Sequence, residues 1–218
     1  MNPIEIHAGD DVLTGKVIKE GFLPDLSDWH EEGLGHFELQ GDRLLIDARE
    51  GGYTAFYKKE LPADIVVRYT TRAIEPFQQN NLNLISHCTP PKPGWPIVDM
   101  GRYPGYREFD NYIVTFVGDW EKDDWGKVNT KGRVRFRRNP GFHLNREQNP
   151  DSRYGEEYEI VYAVNKGNLR YYINGEFIDE WQDPEPLAGG FFALRTFSTV
   201  ALYRDITLAA LTAIAPAS

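Results

Sequence analysis

Short runs in which apolar and polar residues alternate follow one another along the chain with little else between them. They are HFELQG, RLLIDA, YTAFYKKEL, ADIVVRYTTRAI, NNLNLISHC, NYIVTFVG, RVRFRR, EYEIVYAVNKG, LRYYING, FIDEW, GFFALRTFS and VALYRDITLAAL. A period of two marks a strand, whose successive side chains point to opposite faces. These runs are rich in β-branched and aromatic residues and bounded by Gly, Pro, Asn and Asp, as strands are. Between two of them stands Asn174-Gly175, the strongest short hairpin signal. No long run has a helical period. The pattern predicts an all-β chain, and about twelve strands in 218 residues fit a two-sheet antiparallel jelly-roll sandwich, one domain over residues 1–218.

Three of these segments carry polar residues on one whole face. In NNLNLISHC, Asn81, Asn83 and His87 share a face with Ile85, opposite Leu82 and Leu84. In EFDNYIVTF, period two puts Glu108, Asp110 and Tyr112 together, with Phe109, Asn111 and Ile113 opposite. In GRVRFRRNPGFHL, Arg133, Arg135 and Arg137 alternate with Val134 and Phe136, and the turn Asn139-Pro140-Gly141 delivers His143. Outer sheet faces are usually dressed in Lys, Thr and Ser; three strands presenting Asn, His, Glu, Asp, Tyr and Arg mark a candidate site. The segment HCTPPKPGWPIVDMGRYPGYR, with five prolines, is too long for a tight hairpin and is read as a functional loop. Trp95, flanked by Gly94 and Pro96 in that loop, is the candidate ligand wall, and Arg107 at its end joins the substrate-binding set.

Charge and composition narrow the chemistry. The formal net charge of -9 excludes general nucleic-acid binding, so the arginine strand is a local exception with a local purpose. No run approaches the ~18 apolar residues of a membrane-spanning helix, the N-terminus lacks a basic start and an apolar stretch, and Cys88 is the sole cysteine; a cytoplasmic protein is the expectation. The five histidines have no zinc spacing, and no phosphate loop, dinucleotide fingerprint or nucleophile elbow is present, so no cofactor is expected. Asp119, Asp123 and Asp124 in DWEKDDWG are considered for a structural calcium ion, without the spacing of a recognised loop.

LRYYINGEFIDEW followed by GGFFALRTFSTVALYRDITL resembles the closing section of concanavalin-A-like lectin/glucanase domains, and ADIVVRYTTRAIE with NNLNLISHC is similar to their middle strands. More narrowly, RFRRNPGFHL, YYINGEFIDEW and LYRDITL, in this order, resemble the YesU family of bacterial proteins, found among genes for the use of plant pectic polysaccharides. The resemblance spans roughly Ala63 to Leu208 and brings no biochemical activity of its own. It implies a carbohydrate-active sandwich whose concave sheet holds a short, plant-derived oligosaccharide, and the arginine strand points to an acidic one, acted on by a lyase or a glycoside hydrolase. The superfamily's glucanases place carboxylates at alternate positions of one strand; here Glu108 and Asp110 match and Tyr112 stands where a further glutamate would be. Retaining hydrolysis needs two carboxyl groups. An acidic sugar also permits β-elimination, in which cations stabilise the developing enolate. For that reaction Arg135 and Arg137 would bind the carboxylate, Asn81 and Asn83 read hydroxyls, His143 or His87 remove the proton and Tyr112 protonate the leaving group. The alternative is a non-catalytic, lectin-like binding protein, and sandwich edges would support a homodimer.

Overall fold

The computed structural model describes residues 2–19, 26–74, 81–98, 101–118, 132–148, 150 and 152–217. Every alternating run becomes a strand, and the chain forms two antiparallel sheets with no α-helix among the described residues. The seven-stranded sheet runs in the order β11 (His143–Gln148), β10 (Arg133–Asn139), β9 (Asn111–Val117), β8 (Asn81–Cys88), β15 (Gly189–Phe197), β6 (Gly52–Pro62), β3 (Trp29–Gly33). The larger sheet has the path β1 (Pro3–Ala8), β2 (Asp11–Lys19), β16 (Val200–Pro216), β7 (Ile65–Ala73), β12 (Tyr158–Asn165), β13 (Asn168–Ile173), β14 (Glu176–Gln182). The hairpin of β4 (His36–Gln40) and β5 (Arg43–Asp47) extends it from β16. Asn174 and Gly175 both take positive φ, 51° and 77°, as a two-residue hairpin turn requires.

Alternation decides what lies between the sheets. Leu82 and Leu84 of β8, Val114 and Phe116 of β9, and Val134 and Phe136 of β10 meet Ile160, Tyr162 and Val164 of β12 in the main core. Four strands carry no alternating signal of this strength: β1, β2, β3 and β11. The last of these, HLNREQ, is an edge strand with no buried residue, so it has no apolar face to betray it.

The outer faces of the two sheets are covered differently. On the larger sheet, IVYAV of β12 is apolar on both sides, the mark of a strand buried twice. Val161, Ala163, Val66 and Ala209 face away from the main core and are covered by Ile6, Ala8 and Leu13 of the N-terminal hairpin. The hairpin tip is pinned across the sheet, where the Asp11 carboxylate accepts from Arg170 (2.9 Å) and from the Tyr172 hydroxyl (2.6 Å). On the seven-stranded sheet the cover is the Pro-rich loop, whose Trp95, Ile97, Val98, Tyr106 and Phe109 pack on Phe56, Ile85, Ile113 and Ala193. It covers part of that face. The remainder is the cavity described next.

Candidate functional site

Antiparallel register lines up the outward residues of the seven-stranded sheet in transverse rows. One row reads Glu147, Arg135, Thr115, Asn83, Arg195, Thr54, Glu32, crossing every strand from one edge to the other. Beside it Arg133, Val117 and Asn81 form a second row on three strands. Four guanidinium groups, those of Arg133, Arg135, Arg137 and Arg195, line one cavity of about 260 Å³ with Asn81, Asn83 and Thr115 on its floor. Tyr103, Phe142 and Phe197 contribute aromatic walls, and no carboxylate lines it among the described residues.

Phe142 is placed by the turn after β10. The Asn139 side chain accepts from the Phe142 amide (2.8 Å) and donates to Asn111 Oδ1 (2.7 Å), while Asn111 donates to the carbonyls of Tyr106 and Phe109. This buried amide chain ties the turn to the Pro-rich loop. The Phe142 ring then sits between two cations, with the guanidinium carbons of Arg137 and Arg107 each 3.9 Å from its centroid.

The arginines are not equivalent. Arg135 pairs with Glu147 at the rim. Arg137 donates to the Phe142 carbonyl (3.2 Å). Arg195 is 1% exposed, donates to Thr54 Oγ1 (2.9 Å) and lies 4.8 Å from the Tyr103 ring centroid. Neither Arg195 nor Arg133 has a carboxylate within 4 Å among the described residues, and the Nε of each is buried without a hydrogen-bond partner there, as is Asn83 Oδ1. Desolvation lowers the pKa of Arg133, Arg137 and Arg195, three of the four cavity arginines, and repulsion from neighbouring guanidiniums adds to it at Arg133 and Arg137. They remain charged, since guanidinium does not deprotonate in proteins. A buried and a half-buried guanidinium with no carboxylate in contact among the described residues, and an unpaired amide oxygen, carry a desolvation cost that an anionic, hydroxyl-bearing ligand would offset.

Glu32 ends the transverse row under the loop. Its carboxylate accepts from the amides of Ile97 and Val98 and from the Tyr106 hydroxyl, clamping the loop to β3. Burial raises its pKa, against the effect of those donors and of Arg195.

The structure brings Asn81, Asn83, Arg135 and Arg137 into the cavity and leaves the other sequence-nominated residues elsewhere. His87 follows a register shift in β8 and has φ 53°, which turns its ring inward. There it is 2% exposed, donates from Nε2 to the Ala63 carbonyl (2.8 Å), shares a hydrogen bond between Nδ1 and Ser86 Oγ (3.2 Å) and lies 5.1 Å from the Tyr112 ring; burial lowers its pKa. Tyr112 keeps parity with Val114 and Phe116 and so faces the core, its hydroxyl donating to Asp183 (2.6 Å). Glu108 and Asp110 precede β9 in the bend after a 3-10 turn at Tyr103–Arg107, both exposed and outside the cavity, so the strand-borne carboxylate pattern of glucanases is not formed. His143 is exposed on edge strand β11, near Gly141, away from the cavity lining. Trp95 belongs to the loop's own packing, 4.5 Å from His30, 5.6 Å from Phe56 and 5.1 Å from Phe191, and is no cavity wall. Arg107 supports Phe142 from behind rather than lining the space.

Arg195 was not among the sequence candidates, although its signal was present: a lone arginine within FFALRTF, a strand otherwise apolar on both sides. Such a charge is buried and must meet a partner. Asp119, Asp123 and Asp124 lie outside the described residues. Among the described residues no group of three or more His, Cys, Asp or Glu could hold a metal ion.

The fold has solved counterparts. A Bacillus subtilis protein of unknown function with a galectin-like fold is similar over 96% of this chain and 99% of its own, with TM-score 0.74 and 19% identity. The carbohydrate-binding module CBM66 from Bacillus subtilis covers 86% of this chain and 99% of its own at TM-score 0.61 and 11% identity. The exoplasmic/lumenal domain of VIP36, in its Ca2+/Man3GlcNAc-bound form, covers 85% of each chain at TM-score 0.65 and 10% identity. At these identities the likeness establishes a lectin-like sandwich fold. A comparison with curated protein sequences gives no match. Residues 46–206, most of the chain and all of the sheet that carries the cavity except β3, match one family model, and the protein belongs to that family, described as a domain of unknown function (DUF6250).

Proposed function

We propose that this protein is a carbohydrate-binding domain that recognises an acidic saccharide in the arginine-lined cavity. Among the described residues four guanidiniums, of which only that of Arg135 forms an ion pair, concentrate around a space lined by no carboxylate, and this observation carries the reading. Arginine's planar fork pairs a carboxylate through two parallel hydrogen bonds, and Asn81 and Asn83 offer donors and acceptors for hydroxyls. The aromatic walls suit the C-H faces of a sugar ring. Two of the fold's counterparts, the CBM66 module and glycan-bound VIP36, are by their descriptions carbohydrate binders, which supports the class of ligand. The resemblance to the YesU family supports a plant-derived acidic one.

Recognition rather than turnover is the reading the geometry favours. Elimination and hydrolysis need a proton acceptor beside the substrate, and the cavity lining offers no Asp, Glu or His among the described residues. Burial holds the Tyr103 phenol above its ordinary range despite the pull of Arg195, Arg137 and Arg107, so at neutral pH it is a donor.

Calorimetric titration with a uronate oligosaccharide and with its carboxyl-reduced, neutral counterpart tests the proposal. The acidic ligand should bind at least tenfold more tightly; equal affinities would overturn it. New absorbance at 235 nm or new reducing ends on incubation would instead make the protein an enzyme on the same ligand.

A further inference from the structure

We propose that Phe142, besides walling the cavity, is the positioning residue for Arg137 and sets its guanidinium as the fork that receives the acidic group; this rests on the acidic-saccharide reading. Two successive outward arginines of β10 are held in opposite ways. Arg135 rests against the Glu147 carboxylate. Arg137 forms no ion pair among the described residues; its guanidinium carbon lies 3.9 Å from the Phe142 ring centroid, and its Nη1 donates to the carbonyl of the same residue (3.2 Å). A carboxylate orients a guanidinium and cancels its charge, whereas a ring face and a carbonyl orient it and leave its charge to a ligand.

The ring is fixed before any ligand arrives. Antiparallel register sets Asn139 opposite Asn111, and both residues are 0% exposed. Asn139 Oδ1 accepts from the Phe142 amide (2.8 Å), its Nδ2 donates to Asn111 Oδ1 (2.7 Å), and the Gly141 amide donates to the Arg107 carbonyl (2.9 Å), so the turn is tied both to β9 and to the Pro-rich loop. From that loop Tyr103 meets the Phe142 ring edge-on, 5.4 Å between centroids at 88°, and Arg107 lies against its other side at 3.9 Å.

This scaffold acts on the cation it carries. Arg135 and Arg107 repel Arg137, and the negative face of the ring offsets that repulsion. Arg137 lines the cavity, where a free arginine would lose rotamer freedom on meeting a carboxylate. One already stacked and hydrogen-bonded loses less, and a single N–H on the Phe142 carbonyl leaves the rest of its fork for the ligand.

A double-mutant cycle tests the assignment, read by calorimetric titration with a uronate oligosaccharide. Phe142→Leu, which keeps an apolar wall and removes the ring, should lower affinity about fivefold. In Arg137→Ala the same change should lower it by less than about twofold, because the cation that the ring positions is gone. Phe142→Tyr, which restores a ring, should bind within about twofold of wild type. An equal loss from Phe142→Leu in both backgrounds would overturn the assignment, since the ring would then act only as wall or as structure. The carboxyl-reduced ligand keeps the two readings apart. Wild type that binds it as tightly as the uronate overturns the acidic reading and the positioning role with it, whereas a preference for the uronate combined with equal losses overturns the positioning role alone.

Discussion

The outer face of the seven-stranded sheet has two halves built on the same strands. One row across it reads Ile113, Ile85, Ala193, Phe56; two residues along each strand, the neighbouring row reads Thr115, Asn83, Arg195, Thr54. The first row is sealed under the Pro-rich loop with Trp95 and Tyr106. The second floors the cavity. A single step of the pleat thus converts a surface that must be covered into one that must be reached. The loop makes the boundary: its Tyr103 is the wall of the cavity and its Tyr106, three residues on, is fully buried.

The sharpest way to break this contrast is to damage each half separately. Phe56→Ala removes a ring that is 0% exposed and packed against Trp95 and Tyr106, and should cost about 3–5 kcal/mol in urea unfolding, with the m-value unchanged. A loss below about 1 kcal/mol would show that the loop does not depend on this row. On the open half the expected pattern is reversed. Arg133→Ala should weaken binding of a uronate oligosaccharide by about 1.5–3 kcal/mol, the worth of a hydrogen bond to a charged group, while the unfolding midpoint moves by no more than about 0.5 kcal/mol equivalent. A large fall in stability together with unchanged affinity would make this arginine structural.

Glu32 sharpens the comparison because it holds the loop from within the polar row. Burial raises its folded pKa above the unfolded value, so the native state holds the extra proton in between. Its contribution to stability is therefore fully present below the unfolded carboxylate pKa and is lost as pH rises through the folded one. Unfolding free energies measured from about pH 4 to pH 7 should fall more steeply with pH when Glu32 is present than in Glu32→Gln. His30, 3.7 Å from this carboxylate, titrates in the same window and responds to the loss of its neighbour, so both curves are measured in a His30→Gln background. Parallel curves would sink the assignment. The smallest effect is expected at the rim. Glu147 already neutralises Arg135, so Arg135→Ala should cost less affinity than Arg133→Ala, and Glu147→Gln should raise affinity for the acidic ligand by a few fold, a gain that disappears at high salt.

Much of the fold was legible because strand periodicity is local. Alternation in ADIVVRYTTRAI, EYEIVYAVNKG and GFFALRTFS depends on nothing beyond the segment, and Asn174-Gly175 carries its own positive φ values. The same locality put Asn81 and Asn83, and Arg135 with Arg137, on outward faces opposite Leu82, Leu84, Val134 and Phe136. Four strands escaped because their pattern is weak or, in β11, because nothing in them is buried.

Parity holds only while the strand is regular, and there the candidate site was misread. One left-handed residue at His87 sends its ring into the core, and the bend before Asn111 takes Glu108 and Asp110 off the strand altogether. Tyr112 was placed by the polarity of those two carboxylates, whereas Val114 and Phe116 fix its true face. Which outward residues form a cavity is not a local property at all. It follows from how far a loop reaches across the sheet, and from the meeting of Arg133 with Arg195, 62 residues apart in sequence, through the pairings of β10, β9, β8 and β15. The sequence by itself determined the strands and the side of each strand that carries charge. Tertiary structure decided which charges stand together with no carboxylate in contact among the described residues, because burial and ion pairing are set by neighbours that the chain brings from elsewhere.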